Sequence, residues 1–554
     1  MSISYVCGTG SEPLRYQTIG AALAEAAHRW PEGEALVVCE QGVRMRYGEL
    51  DQAVTRVAAA LLGLGLVPGD RIGIWSVNGV EWVLTQLAAA RAGLVLVTVN
   101  PAYRPGELRH ALTKTSCRAL VFGEGFREAS YAQMLLELMP ELAQATSDEA
   151  LATSTCPALE HLVAIAAQAP FPAARTFAAL DRLATPEAIA HLEAVTETLQ
   201  PDDPINVQFT SGTTGLPKGA TLSHFNILNN GFFCAEGMSF TAQDRLCIPV
   251  PLYHCFGMVM GVLGCITHGA AMVFPGASFQ AESVLQAVES ERCTGLYGVP
   301  TMFIAELDHP DVERFDLSSL RTGIMAGAPC PIEVMRRVIG QMNLREITIA
   351  YGMTETSPVS FQTAVDDPIE QRVGTVGRIH PHVQVKIVDA EGRAVPRGEA
   401  GELCTRGYSV MLGYWDDEVR SKESIDGAGW MHTGDQATID EQGYCRIVGR
   451  VKDMIIRGGE NIYPREVEEY LYQYPKVQDV AVFGVPDEKY GEQVAAWVRV
   501  REGEHCTEEE LREFCESQIA YFKVPKYFQF VDEFPMTVTG KVQKFVMREQ
   551  FQAN

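Results

Sequence analysis

The sequence predicts an α/β fold: a large N-terminal domain of parallel-sheet α/β subdomains plus a β subdomain, followed by a small, mobile α+β C-terminal domain. Three observations predict it. Short apolar runs alternate with helical patterns over most of the chain, the pattern becomes strand-rich after about residue 383, and a new unit starts after residue 453. A chain of 554 residues is also too long for one core, so several subdomains are expected.

The alternation begins with a helical pattern from Tyr47, in which apolar residues recur at Leu50, Val54, Ala58 and Leu61. Runs typical of buried strands follow at 71–75, 94–100 and 119–122, and again at 246–250, 270–274, 294–299, 321–327 and 346–352. Strands that alternate with helices in this way predict parallel sheets. Residues near 140–200, rich in Ala, Pro and Glu, are interpreted as helical connections on the surface.

The C-terminal part of the chain has a different pattern. From about Val383, the runs "VQVKIVD" and "GYCRIVGR" predict a β subdomain that closes the large body. A helix "PREVEEYLYQY", strands "VQDVAVFGV" and "QVAAWVRV", and a helix "TEEELREFCESQI" then form a unit of the size of an independent domain. The predicted boundaries are 1–449 for the N-terminal domain, 450–453 for a hinge and 454–554 for the C-terminal domain.

Charge and cysteine content exclude several classes of protein. The chain has 45 Lys and Arg against 70 Asp and Glu, a net charge of −25, which argues against a nucleic-acid partner. The N-terminus lacks the pattern of a secretory signal, and the most apolar window, 256–266, is too short for an integral membrane segment. Fourteen cysteines without a C-x-x-C pair predict reduced thiols in a cytoplasmic protein, neither a disulfide framework nor a zinc site.

The stretch "FTSGTTGLPKG" at 209–219 has the composition of a linker but ends in a single lysine. Backbone N–H groups of successive Gly, Ser and Thr residues can converge on an anion, and Lys218 would add a full charge to a phosphate. The stretch is not a Walker A loop, because Pro217 stands where that pattern has Gly. From composition alone, a mobile surface linker is an equal alternative.

The string "YGMTETSP" follows an apolar run and so lies at the C-terminal end of a strand, where open α/β sheets bind ligands. Tyr351 offers a flat face for a base, Thr354 a hydroxyl for a phosphate, and Glu355 a hard oxygen for Mg²⁺. The small residues of "MAGAP" at 325–329 would let a planar ring approach the backbone. Taken alone, a Thr-Glu pair after a strand is more often a helix cap.

Three further strings carry charged groups that have an ordinary explanation when each is taken alone. "GWMHTGD" ends in Asp435, whose carboxylate suits a ribose diol but equally suits a plain turn. Arg450 and Lys452 lie at the domain junction, where a charged linker is the alternative. Lys541 lies beside Gly540 near the C-terminus, where lysines are usually just solvated.

Together and in this order, the strings resemble the adenylate-forming superfamily: acyl-CoA synthetases, firefly luciferases and peptide-synthetase adenylation domains. The resemblance extends from about Tyr47 to Arg548. The strings "RGYSVMLGYW", "VGRVKDMIIRGGENIYPREVE" and "PMTVTGKVQKFVMRE" are most similar to the medium-chain fatty acyl-CoA synthetases. The resemblance implies a large AMP-binding (adenylation) domain and a small C-terminal domain that moves.

The resemblance also implies roles for individual residues. Catalysis is assigned to Lys541, Thr354, Glu355 and His254, with His254 beside the acyl carboxylate and Glu355 as the Mg²⁺ ligand. ATP and AMP binding is assigned to Thr210, Ser211, Gly212, Thr213, Thr214, Gly215, Lys218, Gly327, Ala328, Pro329, Tyr351, Gly352, Asp435 and Arg450. Lys452 is the expected hinge, and Gly458 and Gly459 are expected on the face that meets coenzyme A.

The activity implied is an ATP-dependent, AMP-forming acyl-CoA synthetase with Mg²⁺ as cofactor and a carboxylic acid, ATP and coenzyme A as substrates. The acid is expected to be a medium-chain fatty acid. An aryl-CoA ligase, and an acyl-AMP ligase that loads a carrier protein, are the alternatives. The apolar run after His254 is interpreted either as the wall of an acyl tunnel or as a plain core helix. The oligomeric state is left open, a homodimer included.

Overall fold

The computed structural model describes residues 2–147, 150–210, 217–328, 330–450, 453–457, 460–487, 489–516, 519–537 and 542–553. These residues form a mixed α/β molecule with two large sheets, a smaller antiparallel sheet and a separate C-terminal domain. The predicted fold class is confirmed. Among the described residues, no helix combines the length and the apolar character needed to cross a membrane.

The first large sheet has eight strands, and its core is parallel as predicted. In spatial order, the strands are Ala174–Thr176, His161–Ala164, Ala119–Phe122, Arg71–Trp75, Val95–Thr98, Pro204–Thr210, Lys218–Ser223 and Gly413–Tyr414. The last three are joined antiparallel. Two of these strands lie within 140–200, so the prediction of helical connections there was wrong in part. Strands of three or four residues carry too little periodicity to be recognised before their pairing is known.

The second large sheet has nine strands. In spatial order, they are Arg378–Ile379, Val359–Gln362, Glu346–Gly352, Thr322–Ala326, Gly295–Gly298, Arg245–Cys247, Ala271–Phe274, Glu34–Val38 and Val43–Arg46. The six central strands are parallel, and the edges are antiparallel. The predicted strands around 246–250, 270–274, 294–299, 321–327 and 346–352 are confirmed.

Helices cover both large sheets. They are Ile19–Arg29, Tyr47–Gly63, Val80–Arg91, Pro105–Lys114, Tyr131–Leu138, Pro186–Thr196, His224–Gly237, Gly264–His268, Ala281–Glu291, Pro300–Leu307, Ile332–Gln341, Ile369–Gly374 and Glu418–Ser424. The Tyr47–Gly63 helix buries the predicted apolar face, and the Glu49 carboxylate accepts a hydrogen bond from the Arg46 N–H at 2.8 Å. Residues Phe256–Leu263 form a π-helix, and Pro140–Ala143, Phe177–Leu183, Val312–Arg314 and Thr354–Thr356 form 3₁₀ turns.

The smaller sheet of five antiparallel strands confirms the predicted β subdomain and adds an N-terminal strand that the sequence analysis did not predict. Its strands are Tyr5–Cys7, Val383–Val388, Gly401–Gly407, Met431–Ile439 and Cys445–Arg450. A two-stranded ribbon, Gly125–Phe126 with Ala129–Ser130, completes the described strands of the N-terminal part.

The C-terminal domain has its own sheet, built from Ile455–Arg457, Glu460–Ile462, Val477–Asp487, Gly491–Val500 and Tyr527–Phe530. Its helices are Pro464–Leu471, Glu508–Glu516 and Lys544–Ala553. Two apolar clusters of this domain contain only residues from 455 onward. The predicted boundaries stay predictions, because residues 451 and 452 lie outside the described residues.

Candidate active site

Glu355 follows a strand of one large sheet and contacts two residues of the other. It lies in the 3₁₀ turn that follows the Glu346–Gly352 strand, and it is only 6% exposed. Its Oε1 accepts a hydrogen bond from the Thr210 hydroxyl at 3.4 Å and one from the Tyr414 hydroxyl at 2.8 Å. Its carbonyl oxygen accepts a hydrogen bond from the Met411 N–H at 2.9 Å. Two other chain segments, one with Thr210 and one with Met411 and Tyr414, therefore hold Glu355 in place.

The Glu355 carboxylate suits a hard divalent cation. Both described hydrogen bonds fall on Oε1, and among the described residues none falls on Oε2. A carboxylate oxygen with a neighbouring hydroxyl is the donor set that Mg²⁺ takes alongside water and substrate phosphates. The residues present thus fit the expected metal, and Glu355 is the residue that would hold it.

The predicted phosphate loop joins two antiparallel strands, with Thr210 directly opposite Lys218. The Lys218 ammonium lies 4.9 Å from the centre of the Tyr414 ring, a cation–π distance. The Pro217 carbonyl lies 3.0 Å from Nε2 of His110. Of the predicted loop, residues 211–216 lie outside the described residues, so the roles of Ser211, Gly212, Thr213, Thr214 and Gly215 stay predictions.

Tyr351 and Asp435 lie together, although they come from different sheets. The Tyr351 hydroxyl donates a hydrogen bond of 2.5 Å to Oδ2 of Asp435, and Asp435 is buried. Burial, and then the charge of Asp435, raise the pKa of Tyr351 well above its usual value. Asp435 also pairs with Arg450 across the small sheet. The backbones of these two predicted nucleotide-binding residues therefore lie directly opposite each other.

The neighbouring strand brings the small residues of "MAGAP" to the same edge. Thr322–Ala326 runs parallel to Glu346–Gly352 with Ala326 opposite Ala350, so Gly327 and Tyr351 follow one residue later on adjacent strands. Gly327 has φ of +87°, a conformation that favours glycine. No residue with a side chain fits in place of Gly352, because a Cβ there would lie 1.8 Å from the Pro358 carbonyl oxygen.

His254 lies two residues before the π-helix and is half-buried. Its Nδ1 accepts a hydrogen bond from the Phe256 N–H at 3.2 Å and lies 3.6 Å from Sγ of Cys255. That sulfur lies 4.0 Å from the Thr354 hydroxyl, so His254 is one side chain away from the predicted phosphate contact. All eight residues of the π-helix are buried, and π-turns occur frequently at functional sites.

Several predicted residues lie outside the described residues: Pro329, Lys452, Gly458, Gly459 and Lys541. Their roles stay predictions. Ala328 follows Gly327 at the strand end and is described, but its contact with a nucleotide is likewise untested. The fourteen cysteines all fall within the described residues, and each is a thiol there and not half of a disulfide.

Sequence reasoning missed two contributors. Tyr414, which holds Glu355, stands within the string "LGYW" and received no role, although a hydroxyl-bearing aromatic after a glycine could have drawn attention. Glu402 was also missed: its Oε1 accepts the Gly434 N–H at 3.2 Å and its Oε2 lies 2.9 Å from Nδ1 of His432. These two contacts hold the part of the Met431–Ile439 strand that leads into Asp435, where the sequence alone suggests a turn.

Comparison with known proteins agrees with this geometry. A profile described as AMP-binding enzyme matches residues 23–415, and one described as AMP-binding enzyme C-terminal domain matches residues 466–541. The chain belongs to the AMP-binding enzyme family.

Individual relatives show which kind of AMP-binding enzyme the chain is similar to. YngI of Bacillus subtilis (strain 168), which is named as an acyl-CoA synthetase, is 47% identical over 97% of each chain. The mitochondrial medium-chain acyl-CoA ligase ACSF2 of Danio rerio is 45% identical over 99% of this chain and 91% of its own length. Among solved structures, the anthranilate CoA ligase AuaEII in complex with anthranoyl-AMP is 27% identical, with a TM-score of 0.84 over 97% of this chain and 98% of that one.

Proposed function

We propose that this acyl-CoA synthetase activates a medium-chain fatty acid in two steps. The carboxylate and ATP give acyl-AMP and pyrophosphate, and coenzyme A then gives acyl-CoA and AMP. The observation that carries the proposal is the convergence of the Thr210 and Tyr414 hydroxyls on the buried Glu355 carboxylate, four residues along the chain from Tyr351 and its contact with Asp435. The choice of acid is supported by the 45% identity to a medium-chain acyl-CoA ligase.

The first step needs charge stabilisation more than it needs a nucleophile from the protein. The acid's own oxygen attacks the α-phosphorus, and negative charge builds on the phosphoryl oxygens and on the departing pyrophosphate. Thr354 and Lys218 would donate to these oxygens, and Lys541 would add a positive charge. A donor of this kind is worth about 3–4 kcal/mol of transition-state stabilisation. Glu355 would hold Mg²⁺, which neutralises phosphate charge when bound.

The nucleoside half of ATP would lie at the Tyr351–Asp435 contact. The Tyr351 ring offers a face for adenine, between the strand end that carries Gly327 and Ala328 and the small sheet. The Tyr351 hydroxyl occupies one oxygen of the Asp435 carboxylate, which fixes the orientation of that carboxylate toward a ribose diol. Arg450 and Pro329 complete the proposed nucleotide contacts.

The second step needs Lys541 to leave so that a thiol can enter. We assign the change to a rotation of residues 454–554 about Lys452, which would bring Gly458 and Gly459 toward coenzyme A. His254 and the π-helix would then lie at the acyl end of the same site. The homodimer and the cytoplasmic location stay predictions, and the ACSF2 relatives are named as mitochondrial.

Pyrophosphate release across acids tests the proposal. Straight-chain acids from butyrate to palmitate, together with benzoate and anthranilate, are each assayed with and without coenzyme A. We expect release to be highest with an acid near octanoate and acyl-CoA to form only when coenzyme A is present. A preference for the aromatic acids would overturn the choice of substrate, as would transfer only to a phosphopantetheinyl carrier. No AMP with any acid would overturn the enzyme class.

A further inference from the structure

The chain around Lys541 is anchored by described residues on both sides. Met536 and Val542 form an antiparallel bridge, and the Gln543 N–H donates to the Pro535 carbonyl at 2.8 Å. Residues 538–541 lie outside the described residues, and Lys541 comes immediately before Val542 in the sequence. The base of this segment, 535–536 with 542–543, is therefore fixed, and residues 542–543 lie within two residues of Lys541 in the sequence.

That base packs against the apolar cluster around Phe483 and Trp497 through Met536 and Val542, and an ion pair next to it adds a polar attachment to the body of the C-terminal domain. The Lys544 ammonium donates to Oε1 of Glu468 at 2.6 Å, and the same oxygen accepts the Val482 N–H at 2.7 Å. The Glu468 side chain is 9% exposed, and Lys544 is 21% exposed. One carboxylate oxygen thus joins the terminal helix Lys544–Ala553 to the Pro464–Leu471 helix and to the strand Val477–Asp487.

A second contact lies one helical turn further along the terminal helix. Arg548 is four residues after Lys544 and so lies on the same face of the helix. Its Nη2 is 3.6 Å from Oδ1 of Asp453, the last residue of the predicted hinge 450–453. One face of the terminal helix therefore contacts both the domain body and the end of the predicted hinge.

We propose that Lys544 and Glu468 are positioning residues for acyl-adenylate formation: their ion pair holds the base of the Lys541 segment, so that Lys541 reaches the phosphoryl group in register. The inference rests on the role proposed for Lys541 above. Neither residue touches substrate in this account, since both act through Lys541. Because Glu468 is nearly buried, removing Lys544 also leaves a poorly solvated charge at the base of the segment.

The proposal predicts different effects on the two half-reactions, the formation of acyl-AMP and the formation of the thioester. Lys541 is needed to form acyl-AMP but must be withdrawn before the thioester forms. A displaced base should therefore lower the first step and spare the second. A purely structural role would instead lower both steps together, in proportion to the loss of folded protein. Misplacement of a catalytic group by about 1 Å can cost on the order of 100-fold in rate.

The test compares Lys544→Met, Glu468→Gln, their double variant and Lys544→Arg in the full-length protein. Acid-dependent ATP–pyrophosphate exchange measures the first step, and conversion of synthetic acyl-adenylate to acyl-CoA measures the second. Lys476→Met is the matched control, because it removes an ion pair of 2.8 Å with Glu510 in the same domain, away from the 535–544 segment.

We expect Lys544→Met and Glu468→Gln each to lower exchange by about 10- to 100-fold while the second step stays within twofold. The double variant should be no worse than the poorer single variant, because both remove one interaction. Lys544→Arg should recover most of the exchange, and the Lys476→Met control should match the wild type in both assays.

Equal loss in both steps, additive losses in the double variant, or unchanged exchange would each overturn the proposal. Lys541→Ala distinguishes this failure from failure of the proposed function. If Lys541→Ala leaves exchange intact, the role of Lys541 is wrong. If it abolishes exchange while Lys544→Met does not lower it, only the positioning role is wrong. Melting temperatures of all variants identify any that fail to fold. If Lys544→Met is among them, Lys544→Arg is compared with Glu468→Gln in its place.

Discussion

Tyr414 fixes the orientation of the candidate metal ligand through one hydroxyl group. It donates to Oε1 of Glu355 at 2.8 Å, while its ring faces the Lys218 ammonium at 4.9 Å. Burial, and then the charge of Glu355, raise the pKa of Tyr414 above its usual value, so the phenol stays protonated and keeps donating near neutral pH. The hydrogen bond therefore occupies one carboxylate oxygen and leaves the other for a cation.

Tyr414→Phe should raise the Mg²⁺ concentration needed for half-maximal ATP–pyrophosphate exchange and lower its maximal rate by about 10-fold. The expected size follows from the loss of a hydrogen bond to a charged group, about 1.5–3 kcal/mol. The ring remains, so the Lys218 contact is kept. Tyr444→Phe, which removes a hydrogen bond to the buried Asp367, is the control and should leave the Mg²⁺ dependence unchanged. An unaltered Mg²⁺ dependence in Tyr414→Phe would contradict the assignment.

Glu306 leads to a prediction about pH. It is fully buried in the Pro300–Leu307 helix, and among the described residues neither carboxylate oxygen has a hydrogen-bond partner. Burial raises the pKa of Glu306 well above its usual value, so the folded protein keeps this proton while the unfolded chain loses it. Stability is therefore fully present at low pH and is lost as the pH rises from the unfolded pKa toward the folded one.

Glu306→Gln does not titrate, so its melting temperature should exceed that of the wild type by a margin that grows between pH 5 and pH 8. Up to the folded pKa, the difference in unfolding free energy should change by about 1.4 kcal/mol per pH unit. Differential scanning calorimetry at three pH values measures it. The exposed Glu313→Gln serves as the control and should show no such trend. A margin that does not change with pH would refute the ionisation argument.

How far the sequence predicts the site depends on whether a role follows from local context. Thr210, Tyr351 and Glu355 stand at or just after strand ends in recognisable strings, Asp435 lies inside the Met431–Ile439 strand, and the structure brings Thr210 to Glu355 and Tyr351 to Asp435. Tyr414 could not be assigned in this way. Its partner lies 59 residues away, and a hydrogen bond across that separation depends on how two sheets pack.

At the scale of elements, the segment Phe256–Leu263 shows what a pattern of apolar residues can predict and what it cannot. Its apolar run predicts burial, and the structure confirms it. The wider π-turn could not be predicted, because it depends on close backbone packing. A Cβ at Gly231 of the neighbouring helix would lie 2.8 Å from the Val259 carbonyl, and one at Gly257 would lie 2.6 Å from the Pro251 carbonyl.

Gly231→Ala should push the His224–Gly237 helix away from the π-helix. We expect a loss of about 1–3 kcal/mol in stability from overpacking, and a raised KM for the acid, since His254 lies two residues before the π-helix. Thermal melting and acid-dependent kinetics measure the two effects. Gly106→Ala is the control, because a Cβ at that helical position meets no atom within 4 Å. If Gly231→Ala melts and binds acid like Gly106→Ala, the helices do not pack as described.

At the scale of the molecule, the C-terminal domain is built to stand alone. Its two apolar clusters, one around Val482 and Val494 and one around Phe483 and Trp497, draw only on residues 455–551. The sequence predicted this separation from the change in pattern after residue 453. It did not predict the N-terminal strand Tyr5–Cys7, which pairs with a partner nearly 400 residues away.

Residues 454–554, expressed alone, should therefore fold into a cooperative unit of about 100 residues, near the usual size of a single domain. Circular dichroism should give a mixed helix and strand spectrum and one thermal transition. Mixed with residues 1–449, the isolated domain should restore little ATP–pyrophosphate exchange, because the tether that keeps Lys541 near the site is cut. A gradual, non-cooperative thermal transition of the isolated domain would show that its core depends on the rest of the chain.

The meeting of three segments at Glu355 constrains how this chain can be recombined with its relatives. Thr210, Glu355 and Tyr414 lie in three successive parts of the sequence. Glu355 provides the carboxylate, and the other two residues each donate a hydrogen bond to it. A chimera whose crossover falls between Ser223 and Glu346 takes these groups from two parents, whereas a crossover after Trp415 inherits all three from one. Parents that differ slightly in sheet packing would show the mismatch first in nucleotide chemistry, before any change in expression or melting.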